Sequence, residues 1–332
     1  MAFADETICT LVDRRGTVAN RDVVRALGVS PATAHRLLQR LARRGVLQLS
    51  GKGPASQYRF RPVRRRFKRS GLEEDRAWNG VAEAIARIRS IPQEESRSLQ
   101  YAATEVINNA VEHSRGSRVT VAVDFAAVGS TVTRVQDDGV GVFRRVCEDF
   151  GFSTPEEAIV QLEKGKLTSD PEQHSGEGLF FSSKAVARFR LESQGIAWIV
   201  DSVVGDSAVA GSAVRRGTSV TLDIVRGHTP LLEDIFRAYT DAETLRFTRT
   251  RTTVKLSVVG SALVSRSEAK RIVAGLTKFK HVTLDFSGAE VVGQGFCDEV
   301  FRVFARAHTQ VILEPVGMNA AVGFMVARAL AT

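Results

Sequence analysis

Glu105 and Asn109 stand four residues apart in the stretch YAATEVINNAVEHS, residues 101–114, a spacing that sets both side chains on one face of a helix. A carboxylate so placed can orient a water or a hydroxyl, and a carboxamide oxygen can ligate a hard cation such as Mg²⁺. The pair also suits a solvated helix face. A second signal is VQDDGVGV, where Asp137 follows an apolar run and Gly139 and Gly141 permit a turn too tight for side chains. A buried carboxylate there can accept a hydrogen bond from an exocyclic amine. A third, HSGEGLFFSS, sets Gly176 and Gly178 just before a helix expected over 180–188. Backbone N–H groups and the positive end of that helix suit phosphate.

Positioning these groups needs rigid elements. Periodicity predicts helices over 74–89 and 94–114 and strands over 118–125, 130–135, 188–193, 197–203 and 218–225. Helices on one face of a mixed sheet, an α+β sandwich, is the natural arrangement. With three signals in order on helix, strand-turn and turn-helix, residues 73–226 resemble the GHKL ATPase superfamily, which includes gyrase B, chaperone and mismatch-repair ATPases, histidine kinases and anti-sigma kinases.

The resemblance implies ATP and Mg²⁺ as ligands. It makes Glu105 the base that activates water or a hydroxyl, Asn109 the magnesium ligand and Asp137 the adenine-reading carboxylate, with Gly139 and Gly141 against base and sugar. Residues 143–174 would be a mobile lid over the triphosphate, with Lys164 and Lys166 as candidates to meet the γ-phosphate. Gly176, Gly178 and Leu179 would lie at the phosphate end. Gly217-Thr218 would be the final box, the Thr218 hydroxyl supporting the adenine contact. No paired-helix segment with a phosphoacceptor histidine precedes the pocket, so a histidine kinase is not expected; the expected function is a DNA-binding regulator switched by ATP binding or slow hydrolysis, with a serine/threonine protein kinase of the anti-sigma type or a DNA-associated ATPase that dimerises on ATP as the alternatives. Phe180 stands where many members continue the glycine-rich turn.

The first 60 residues read differently. Helices are expected over 6–13 and 20–27, and a third is opened by Ser30 as N-cap with Pro31 at the first helical position. Apolar Val23, Val24, Leu27, Val29, Leu37, Leu38 and Leu41 form a small core. Thr33, His35, Arg36, Arg40 and Arg43 then point away as candidate groove-readers and phosphate contacts. Two short strands around a turn holding Lys52 complete what resembles a winged helix-turn-helix domain, with Ser30 and Lys52 as further DNA contacts. Residues 61–72, RPVRRRFKRSGL, read as an exposed basic linker suited to a phosphate backbone.

Charge supports that division. Residues 1–72 hold 16 Lys and Arg against 4 Asp and Glu, an excess of +12 beside +9 for the whole chain, so the remainder is acidic by 3. A basic excess at one end predicts an anionic partner, DNA ahead of a membrane. Residues 230–332 alternate strand and helix, and residues 250–330 resemble a STAS-like α/β domain. The turn where such domains carry a phosphoacceptor serine reads Val292-Gly293-Gln294-Gly295-Phe296, without a hydroxyl, and Ser287 is a poor substitute. A packing or dimerising role is expected for it, and a protein partner or a homodimer is expected through either the GHKL-type or the STAS-like domain.

The expected architecture is therefore multidomain: winged helix-turn-helix (1–60), basic linker (61–72), α+β sandwich of the GHKL ATPase type (73–226) and small α/β STAS-like domain (230–332). No apolar stretch approaches the roughly 18 residues of a membrane span, and Asp5 and Glu6 sit where a signal peptide would be positive. The expected compartment is the cytoplasm. Cys9, Cys147 and Cys297 share no metal-ligand spacing and read as reduced thiols.

Overall fold

A computed structural model describes residues 3–125, 128–165, 177–239 and 251–331. By internal contacts the chain divides into two units. The first holds Met1–Gly141, Ser182–Ser207 and Ser212–Leu232; the second holds Val142–Phe181, Ala208–Gly211 and Glu233–Thr332.

The first unit begins with helices Phe3–Arg15, Asn20–Leu27 and Pro31–Arg43. Ile8, Val12, Val23, Leu38 and Leu41 are each no more than 1% exposed and form their common core. Gly28 closes the second helix in the left-handed region at φ +64°, where a side chain would be strained, and its N–H reaches the Val24 carbonyl. Two residues later the Ser30 hydroxyl accepts from Thr33 N–H, and Pro31 opens the third helix. Strands Leu47–Ser50 and Gln57–Phe60 pair antiparallel as the wing.

The segment expected to be a linker is a strand. Val63–Lys68 follows the wing after only Arg61 and Pro62 and pairs antiparallel with Arg118–Asp124 along its whole length. Its Val63 is buried and its Phe67 half-buried, enough apolar surface on one face to hold an edge strand whose other positions are charged. Sheet order continues through Ser130–Asp137, Thr218–Val225, Arg188–Ser193 and Ile196–Asp201, each neighbouring pair antiparallel.

Alternation divides this sheet into two faces. Val119, Val121, Val123, Val135, Val220, Leu222, Ile224, Phe189, Leu191, Trp198 and Val200 make the buried one. Helices Glu74–Ile88 and Gln93–His113 contribute buried Trp78, Val81, Leu99, Ala103, Val106 and Ile107 to the same core. Arg69 fastens the end of the long helix: its Nε donates to Gly116 O at 2.6 Å and its Nη1 to Val111 O at 2.8 Å. A cation suits the negative, carbonyl-rich end of a helix.

The second unit is built on a parallel sheet of Arg251–Lys255, His281–Asp285 and Ile312–Val316 in that order. Helix Arg266–Val273 starts with a reciprocal cap between Ser265 and Glu268. The segment 294–307 runs as Gln294–Cys297, a π-wound stretch Asp298–Phe304 and Ala305–Ala307. Asn319 caps the last helix, Ala320–Leu330. Leu256, Leu263, Phe286, Phe296, Val300 and Val322 are fully buried between these elements.

Helix Pro155–Lys164, from the segment expected to be a mobile lid, belongs to that core. Val160 is 2% exposed within it. Arg271 Nε lies 2.6 Å from Glu157 Oε1, Gln161 donates to Arg271 O, and Lys164 Nζ donates to Ile272 O at 2.6 Å and Ala274 O at 3.1 Å. This helix and the C-terminal elements belong to one compact unit.

Candidate functional site

Asp137 ends a core strand and enters a turn whose shape depends on three glycines. Its Oδ1 accepts from Gly139 N–H at 2.9 Å and Thr218 N–H at 3.3 Å, and the Thr218 hydroxyl bonds the same carboxylate. Burial pushes the carboxyl above its usual range, and these hydrogen bonds oppose the shift. Asp138, next along, behaves oppositely. Ser117 Oγ and two backbone N–H groups hold it at 2.6–2.9 Å and bring its carboxyl down to about 2.

The glycines answer to the protein's own backbone. A Cβ on Gly139 would come within 2.9 Å of Ser114 Cβ and closer still to the Ser114 carbonyl oxygen, which accepts from Val140 N–H. One on Gly141 (φ +93°) would collide with Ser193 Oγ and stand 3.3 Å from Gly217 O. Gly217 (φ +68°) lies against the Asp137 carbonyl and donates to Gly139 O at 3.1 Å. The turn is too tight for side chains, as the sequence predicts: the missing side chains of Gly139 and Gly141 let the loops around Asp137 close on one another. Ser114 and Ser193 share that work, Ser193 donating to Gly217 O at 2.8 Å. Neither stood out in the sequence, because a small polar residue on a strand or after a helix carries no distinctive spacing.

Glu105 and Asn109 are half-buried on helix Gln93–His113, on one face as the spacing predicts. Asn109 Nδ2 donates to Glu105 O at 2.8 Å. That bond fixes the amide orientation and turns the oxygen, the atom a cation needs, the other way. A half-buried carboxylate acceptor beside Thr218, with a carboxamide oxygen and a carboxylate on the adjoining helix, fits the donor set that ATP and Mg²⁺ require.

Other expected residues fall elsewhere. Gly178 and Leu179 open helix Gly178–Lys184 and are half-buried. Gly176 and Lys166 lie outside the described residues. Lys164, expected near the γ-phosphate, is 3% exposed and bonded to two carbonyls at the end of helix Arg266–Val273. Burial brings its ammonium down to about 7. Phe180 packs edge-on against Phe181 and Tyr239 at 5.5 and 5.1 Å, so an aromatic cluster occupies the place of the family glycine.

On the helix-turn-helix, His35, Arg36, Arg43 and Lys52 are exposed. Thr33 binds Ser30 and Arg36 within the helix start. Arg40 does not point away as expected. Its Nη2 pairs with Asp5, which is 2% exposed, and Arg44 meets the same carboxylate at 2.8 Å. A long side chain on the helix flank reaches back to neutralise a buried charge that would otherwise be costly.

A further ion cluster joins this domain to the sheet within the first unit. Asp13 Oδ1 lies 2.6 Å from Arg89 Nη2, and Asp13 Oδ2 lies 2.9 Å from Arg226 Nη1. Arg89 also donates to Ser130 O and Thr131 Oγ1.

Comparison with known proteins agrees with this anatomy. Residues 10–51 match the IclR helix-turn-helix domain, residues 70–198 the histidine kinase-like ATPase domain, and residues 268–322 a STAS-like domain of unknown function. No curated protein matches the chain. Among solved structures, an IclR transcriptional regulator from Alicyclobacillus acidocaldarius is 13% identical, with 70% of this chain and 90% of that one covered at a TM-score of 0.20. A putative transcriptional regulator from Rhodococcus sp. RHA1 is 16% identical, covering 70% and 88%, with a TM-score of 0.16. At these scores neither likeness bears on the fold. Among the described residues no helix is long and apolar enough to cross a membrane. The chain is a fusion of an IclR-type helix-turn-helix domain, a histidine-kinase-like ATPase domain and a STAS-like domain.

Proposed function

We propose that this chain is a DNA-binding regulator whose affinity for DNA is set by ATP and Mg²⁺ bound in the ATPase-like domain. The observation that carries the reading is Asp137: a half-buried carboxylate held by Gly139 and Thr218 at the end of a core strand, where an adenine amine can donate to it. Asn109 supplies its amide oxygen to Mg²⁺, and Glu105 orients the water or hydroxyl that attacks the γ-phosphate. Exposed His35, Arg36 and Arg43 on the third helix, with Lys52 on the wing, meet DNA.

Coupling requires that nucleotide favour one of two states. The Asp13–Arg89–Arg226 cluster supports this, because it ties the first helix of the DNA-binding domain to the end of helix Glu74–Ile88 and to the strand that begins with Thr218. Phosphorylation of this chain's own STAS-like domain at the family turn is excluded from the reading, since that turn has no hydroxyl. The test is DNA affinity by fluorescence anisotropy, with and without ATP and Mg²⁺. A several-fold difference supports the reading. Equal affinity removes the switch.

A further inference from the structure

The sheet of the ATPase-like domain has an open face opposite its helices, and half of that face is cationic. Register pairs Arg64 with Ala122 and Ala122 with Arg134; it also pairs Arg66 with Thr120, and Lys68 with Arg118. Directly opposed residues share a face, so Arg64, Arg66, Lys68, Arg118 and Arg134 all project from the open side, and all five are exposed. Small Ala122 and Thr120 separate them. Further along the face the charges are already answered: Arg188 pairs with Asp201 and Asp223, and Arg190 with Glu192. Among the described residues none of the five has an ion pair. Arg134 gives only one bond, Nε to Thr221 Oγ1 at 3.3 Å. The acid beside Arg118, Asp138, is saturated by Ser117 and two backbone amides, and Asp124, on the same face two residues beyond Ala122, makes no ion pair with any of the five among the described residues.

Five cations without an ion pair, with only Asp124 beside them on a surface about three strands, roughly 10 Å, wide, leave an excess of positive charge that an anionic partner would neutralise. Alternate residues of one strand repeat at about 6.6–6.8 Å, and duplex DNA offers one phosphate charge per about 1.7 Å of axis. The row also starts shortly beyond the wing strand Gln57–Phe60.

We propose that this open sheet face is a second DNA-backbone surface, which holds duplex beyond the segment met by the third helix and reads no sequence. The inference rests on the DNA-binding reading above and adds the ATPase-like domain to the interface.

The experiment uses the full chain and two mixed-sequence duplexes, one of about 12 base pairs, little more than a helical turn, and one of about 40. Binding is followed against salt for the wild type, for the triple variant Arg66→Gln/Lys68→Gln/Arg134→Gln, and for Arg66→Lys/Arg134→Lys, which keeps the charge. On the long duplex the Gln variant is expected to lose up to about 2.7 from the slope of log K against log salt, about 0.9 per phosphate contact. The slope on the short duplex stays unchanged, and the Lys variant matches wild type on both. An unchanged slope on the long duplex, with short-duplex binding intact, overturns the second surface and leaves the helix reading standing. The second surface is likewise overturned if the Gln variant loses binding to phosphatidylserine vesicles while its DNA slopes are unchanged. Wild type that binds neither duplex overturns both readings.

Discussion

Replacing Lys164 by Met tests whether this lysine is a clamp inside the second unit or a phosphate ligand. Its ammonium titrates at about 7 in the folded chain against 10.5 when free. Between those values the unfolded chain holds a proton that the folded chain has released, so stability rises with pH at about 1.4 kcal/mol per unit. From pH 7.5 to 9.0, the gain is about 2 kcal/mol. The interval stops at 9 because burial raises the Cys297 thiol to about 11, and above its free value that group acts in the opposite direction. With a urea m-value of about 2 kcal/mol/M, the midpoint of the second unit moves up by about 1 M. Pulse proteolysis in a urea series, with fragments identified by mass, reads that midpoint. In Lys164→Met the pH slope should vanish, and the Ile272 and Ala274 carbonyls lose their donor, a penalty of about 1–3 kcal/mol. An equal slope in both proteins, or a variant that loses only ATP affinity, would refute the clamp role of Lys164.

Gly139→Ala drives a methyl into the Ser114 backbone and should cost about 1–3 kcal/mol, seen as a melting temperature lower by several degrees together with weaker ATP binding. Arg89→Met leaves Asp13 with Arg226 alone and strips the donor from Ser130 O and Thr131 Oγ1. A loss of about 3 kcal/mol or more is expected for breaking a buried pair, with the nucleotide effect on DNA affinity reduced in the same protein. Because Asp137 takes up its proton above the usual carboxylate range, ATP affinity should fall as pH is lowered from neutral towards about 5, measured by calorimetry. A raised carboxyl pKa favours the folded state as pH falls, so unfolding at this group would not account for that loss.

Local signals were legible in the sequence; contacts between distant segments were not. Ser30 with Pro31 marks the start of the third helix, and the turn holding Lys52 marks the wing, each from a few adjacent residues. Asp137 with its glycines was readable as a turn, but the reason for the glycines lies in Ser114, Ser193 and Gly217, which only the closed sheet brings near. Residues 63–68 read as a linker because their charge run hides Val63 and Phe67, and their partner strand begins 50 residues on. Arg40 reads as a surface group in a helical projection, and nothing local announces Asp5, 35 positions earlier. Lys164 is the extreme case: lysine is rarely buried, and its carbonyl partners lie about 110 residues away.

The central claim is that the ATPase-like domain binds Mg-ATP through Asp137 and Asn109 and that Glu105 acts on what is bound. Calorimetric titration of ATP in Mg²⁺, beside phosphate release, tests it on the wild type, Asp137→Asn and Glu105→Ala. Wild type and Glu105→Ala are expected to bind, Asp137→Asn to bind nothing, and Glu105→Ala to lose turnover. Wild type that binds no nucleotide, or Asp137→Asn that binds as tightly as wild type, would contradict the claim.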